Sequence, residues 1–110
     1  MNVAYVEDDE DFLEWVAEDL VACGCNVRTF SNADSLFDYG LNNFDLIIFD
    51  RLLGNFDIVE KKVALACREF GFSGKIILYS NNPILNTSSD FDIIIDKCSE
   101  VEWNKILERI

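Results

Sequence analysis

Histidine is absent from this 110-residue chain. That excludes Ser–His and Cys–His nucleophile pairs, and also a carrier that takes up a phosphoryl group on imidazole. Cations are scarce: nine Lys and Arg stand against 21 Asp and Glu, for a net charge of −12. Such a chain is repelled by nucleic-acid phosphates and by anionic lipid, so neither nucleic acid nor membrane is expected as a partner. No apolar run approaches the roughly 18 residues needed to cross a bilayer. The amino terminus also lacks the basic segment and apolar stretch of a secretion signal, and a cytoplasmic location is expected. The four cysteines (Cys23, Cys25, Cys67 and Cys98) fit no usual zinc spacing. They read as small hydrophobes in a reducing compartment, with "CGC" at 23–25 the one candidate for a redox pair or half a metal site.

Half of the residues are apolar, enough for the core of one domain spanning 1–110. Apolar runs alternate with helical patterns. "NVAYV" at 2–6 reads as a strand. Residues 9–23 carry Phe12, Leu13, Val16, Leu20 and Val21 at the helical period, with acids in the first turn where the helix dipole favours them. Gly24 is a stop, 26–30 a short strand, and Ser31 the expected cap of a helix that ends at Gly40. "FDLIIFD" at 44–50 has the continuous apolar character of a strand buried on both faces. A turn, "RLLGN", precedes a helix expected over 56–70. Strands follow at 74–80 and 91–95, separated by the polar, helix-poor "NNPILNTSSD". Ser99 and Glu102 form an apparent capping box before a last helix. The alternation predicts an α/β fold, a doubly wound five-stranded parallel sheet with helices on both faces.

In such folds function gathers at the carboxyl ends of the strands. Here those ends deliver Glu7, Asp8 and Asp9, then Asp50, then Ser80, then Asp96 and Lys97. Five consecutive carboxylates, Glu7 to Asp11, repel one another, so either they are a fully solvated helix start or a cation sits among some of them. In the second case a hard divalent ion with oxygen ligands would answer, and Mg²⁺ fits best, since it keeps waters for a phosphate oxygen.

This constellation resembles the receiver domain of two-component response regulators, of the single-domain, chemotaxis-regulator-like kind. "VEDD" places the family's acidic pair on Glu7 and Asp8, "LIIFD" its phosphoacceptor on Asp50, "IILYS" its hydroxyl on Ser80, and "IIIDK" its lysine on Lys97. The resemblance implies a flavodoxin-like strand order 2-1-3-4-5. It also implies a phosphoprotein that takes a phosphoryl group onto Asp50 from a histidine kinase or phosphotransfer protein. Mg²⁺ would be held by Asp8, Asp50 and the Leu52 carbonyl, with Glu7 acting through water. Ser80 and Lys97 would bind phosphoryl oxygens. The protein would catalyse only its own phosphorylation and dephosphorylation, as a monomer or weak dimer. No effector segment follows the last helix, so the expected output is binding, onward phosphotransfer or control of a partner, unless the chain is cut from a longer protein.

The pattern also departs from the family. Gly54 replaces the usual loop proline, Ile58 a glycine and Cys98 the proline after the lysine, which removes the reason for a cis peptide there. Ser80 and Lys97 are only 17 positions apart, so the fourth helix is expected to be short or missing. Ile94 stands where a switching aromatic is usual. Residues 81–90, with Ile84 and Leu85, are expected to order on phosphorylation in its place. Leu52 cannot orient a hydrolytic water, which points to a long-lived phosphoryl group. The alternative is a degenerate receiver that binds partners without phosphorylation. A haloacid-dehalogenase-type phosphatase needs a second aspartate where Leu52 stands.

Overall fold

The computed structural model describes residues 1–81 and 90–110. A parallel sheet forms its middle layer, built from β1 (Asn2–Val6), β2 (Asn26–Phe30), β3 (Leu46–Asp50), β6 (Lys75–Ser80) and β7 (Ile93–Asp96). The spatial order is β2-β1-β3-β6-β7, the doubly wound order expected from the resemblance. All five residues of β3 are buried, which explains their unbroken apolar run up to Asp50.

Strand periodicity sorts the core into two layers. Val3, Tyr5, Leu46, Ile48, Ile77 and Tyr79 face α1 (Glu10–Ala22) and α4 (Trp103–Glu108), where Val16, Leu20 and Trp103 complete the layer. Ala4, Val6, Ile47, Phe49, Ile76 and Leu78 face α2 (Ala33–Tyr39) and α3 (Val63–Glu69). Arg68 of α3 ties down the far end of the sheet. Its guanidinium donates to the carbonyls of Phe72 and Gly74 and pairs with Asp92, whose carboxylate also accepts from the Ile76 amide at 2.8 Å.

Three local expectations are corrected. The cap of α2 is Asn32, not Ser31, because its side-chain oxygen accepts from the Ser35 amide at 2.8 Å. Ser99 and Glu102 form no capping box: the Ser99 hydroxyl donates back to the Asp96 carbonyl at 2.7 Å, closing a turn, and Glu102 caps α4 without a side-chain bond. The helix expected over 56–70 occupies only Val63–Glu69. Before it lies an antiparallel hairpin of β4 (Leu52–Leu53) and β5 (Phe56–Asp57), turning at Gly54 with φ 65°. The Asp57 carboxylate accepts from the amides of Val59 and Glu60 and pairs with Arg51, so the backbone is fixed in a turn rather than a helix.

No peptide bond among the described residues is cis. The expected loss of the fourth helix, and the ordering of 81–90 with Ile84 and Leu85, fall on positions 82–89 and lie outside the described residues.

Lys62, just before α3, sits in the left-handed region at φ 54°, ψ 43° with no side-chain cap bond. A β-carbon is strained there and glycine is not. Lys62→Gly is expected to stabilise the fold by about 0.5–1 kcal/mol, net of the added freedom of the unfolded chain. The urea midpoint should rise at unchanged m-value, and a fall would contradict the left-handed assignment.

Candidate functional site

Five sequence-marked residues meet at the carboxyl ends of β1, β3, β6 and β7. Glu7, Asp8, Asp50, Ser80 and Lys97 line one cleft of about 380 Å³, together with Asp9, Phe12, Arg51, Leu52, Asp57 and Asn81. Parallel pairing brings them together: Asp50 lies beside Tyr79 in β6, and Ser80 beside Asp96 in β7. The Lys97 amide donates to the Ser80 carbonyl at 2.9 Å, so the hydroxyl and ammonium positions share one backbone frame. Ser80 itself is buried.

The acidic run divides its labour. Glu7 is fully buried: its Oε1 accepts from the Tyr5 hydroxyl at 3.0 Å and contacts the Lys97 ammonium, and its Oε2 accepts from the Asp9 amide at 3.3 Å. Asp8 is exposed and its Oδ2 accepts from the Gly54 amide at 2.8 Å, fastening the hairpin to β1. Asp9 caps α1 through the amides of Asp11 and Phe12. Glu10 and Asp11 lie in the first turn, near the positive end of the helix dipole. Asp96, exposed at the rim, accepts from the Cys98 amide at 2.8 Å and stays in its own turn.

Lys97 is the buried cation of the cleft. Its Nζ lies 3.2 Å from Asp50 Oδ1 while also contacting Glu7. Two aromatic rings face the same ammonium, Phe12 at 4.2 Å from ring centre and Tyr79 at 5.5 Å. One positive charge thus serves two carboxylates. Burial pushes the Asp50 carboxyl up to about 7, Glu7 adds to that by hydrogen bonding and repulsion, and Lys97 opposes it.

Glu7, Asp8 and Asp50 each offer a carboxylate oxygen, and these atoms all lie within 4.8 Å of one another. Three oxygens with only one ammonium among them suit a hard divalent cation. Sequence reasoning missed the supports of this site: Tyr5, Phe12, Tyr79, the Gly54 amide and the Arg51–Asp57 pair. Strand period two, counted back from Glu7, would have placed Tyr5 on the same face.

No family model matches the chain, and no curated protein does. Solved structures do. The response regulator TrrA of Thermotoga maritima, in complex with Mg²⁺–BeF, is 24% identical with a TM-score of 0.77, over 98% of this chain and 94% of that one. A receiver domain from Methylobacillus flagellatus reaches a TM-score of 0.83 at 17% identity, covering 99% of this chain and 97% of its own. The chain has the receiver-domain fold of response regulators. A response regulator of Burkholderia pseudomallei, solved with a phosphorylated aspartic acid, a calcium ion and citrate, is 25% identical with a TM-score of 0.73, over 96% of this chain and 64% of that one.

Asp50 makes stability depend on pH in an inverted sense. Between the ordinary value of 3.8 and about 7, the folded receiver holds a proton on Asp50 that the unfolded chain releases. Its contribution is therefore complete at low pH and is lost as pH rises through that window. Without divalent cations, wild type is expected to lose on the order of 2–4 kcal/mol more than Asp50→Asn between pH 4 and pH 8. Parallel urea-stability profiles of the two proteins would refute the shift.

Proposed function

We propose that this protein is a phosphoacceptor receiver in a two-component or phosphorelay system, taking a phosphoryl group from a partner's phosphohistidine onto Asp50. The observation that carries this reading is the convergence of Asp50, Lys97, Ser80 and two further acids, Glu7 and Asp8, in one cleft. A carboxylate Oδ of Asp50 attacks phosphorus in line. A P–O bond forms, the P–N bond breaks, and the leaving imidazole nitrogen takes its proton from solvent. The product is an acyl phosphate, and the protein is no enzyme beyond its own phosphorylation and dephosphorylation.

The residues present fit Mg²⁺. Asp8 and Asp50 would hold it directly with the Leu52 carbonyl, and Glu7 through water. The ion would neutralise charge on the transferring group. The chain's own residues do the rest. Lys97 balances Asp50 before reaction and moves to a phosphoryl oxygen afterwards, and Ser80 donates to another. Catalysis is positioning and charge stabilisation. The partner is a histidine kinase or phosphotransfer protein, which places the reaction in the cytoplasm. Among the described residues no helix is long and apolar enough to cross a membrane.

Incubation with acetyl phosphate and Mg²⁺ should add one phosphoryl group by mass spectrometry, and Asp50→Asn should abolish it. Labelling that persists in Asp50→Asn would sink the assignment, and no labelling of wild type would favour a phosphorylation-independent binding module. Asp8→Ala should weaken Mg²⁺ binding at least tenfold in a tryptophan-fluorescence titration. Unchanged affinity would remove Asp8 from the metal site.

A further inference from the structure

We propose that the Tyr5 hydroxyl is a positioning group of the phosphorylation site, the donor that keeps Glu7 satisfied when Lys97 leaves it for the phosphoryl group. The inference rests on reading Asp50 as the phosphoacceptor. Glu7 is fully buried, so its Oε1 depends on the donors packed against it. Its Oε1 is shared by two donors, the Lys97 ammonium and the Tyr5 hydroxyl at 3.0 Å. Lys97 reaches Asp50 from this seat, 3.2 Å away, and must turn further toward Asp50 to bind a phosphoryl oxygen there. Each step in that direction strips charge compensation from a fully buried carboxylate. A buried acceptor left without a donor is strongly disfavoured. Tyr5 is the partner of Oε1 that stays.

Packing alone does not call for this hydroxyl. Tyr5 is fully buried in the middle of the sheet, and its ring meets Tyr79 at 6.5 Å between centres. A phenylalanine would fill the same space. Burial and the neighbouring Glu7 charge both hold the phenol above its ordinary range. The Asp9 amide serves the other oxygen, Oε2, at 3.3 Å and cannot take over on Oε1 without turning the carboxylate.

The test is Tyr5→Phe, read by two affinities in the same fluorescence or calorimetric titration: Mg²⁺ alone, then beryllofluoride at saturating Mg²⁺. Mg²⁺ alone supplies no phosphoryl oxygen to draw Lys97 from Glu7, so its affinity should change less than that of beryllofluoride. Beryllofluoride draws Lys97 away, and its affinity should fall about three- to tenfold. Unchanged beryllofluoride affinity, or an equal weakening of both, would overturn the proposal, the second by marking a merely structural role. A second measurement needs no variant. In wild-type protein carrying ¹³Cζ-tyrosine, the Tyr5 signal, assigned through its backbone, should shift as the adduct forms and its hydrogen bond strengthens. No shift on adduct formation would also overturn it. A wild type that takes up Mg²⁺ but neither beryllofluoride nor phosphoryl label refutes the phosphoacceptor reading itself, a result distinct from the other outcomes.

Discussion

One buried ammonium holds the working end of this molecule together. Lys97 comes from the end of β7, yet its charge is spent on carboxylates from β1 and β3. A lysine away from water is unfavourable unless paired, and so is each acid. The three strands must therefore finish at matching heights for any of the three charges to be tolerated. The hydrogen bond from the Lys97 amide to the Ser80 carbonyl brings β6 into the same alignment. Sheet register and cleft geometry are in this sense a single constraint. The pairing stays incomplete, because one cation faces two acids while Asp8 at the rim has, among the described residues, the Gly54 amide as its donor. Burial first, and that deficit second, raise the Asp50 carboxyl, and the deficit makes the cleft receptive to a divalent cation.

Crowded charge at the end of β1 becomes intelligible once each acid has a place. Glu7 belongs to the interior, Asp8 to the rim, and Asp9 to Asp11 to the start of α1, where one caps the helix and two favour its dipole. Repulsion is lowered by sending neighbours in different directions. The run is thus half scaffold and half chemistry, a division that the bare letters do not display.

Much of the molecule was legible because its parts obey short-range rules. β3 reads as a buried strand from "LIIFD" alone, and strand ends in a parallel sheet converge, so Glu7, Asp8, Asp50, Ser80 and Lys97 could be assembled before any coordinates. The stretch from 56 to 62 reads as helix for a physical reason, although the helix begins only at Val63. Ile58, Val59 and Val63 mimic the helical period, while the turn is enforced by the Asp57 side chain held by Arg51. That side chain competes for the backbone only because a residue six positions earlier holds it in place, which no local window registers. Tyr5 escaped notice differently. In a strand apolar on both faces it looks like one more core residue, and its hydroxyl matters because Glu7 is fully buried.

Arg68 shows what the opposite end of the sheet does with charge. A single guanidinium takes two carbonyls and the Asp92 carboxylate, and that carboxylate in turn takes the Ile76 amide, so the account there is closed. At the reactive rim it is left open. The two ends can accordingly be altered independently. Changes around Arg68 are judged by whether β6 and β7 still meet, and changes around Lys97 by what the cleft attracts. Architecture and chemistry therefore rest on separate sets of charges, and a substitution that removes one leaves the other in place.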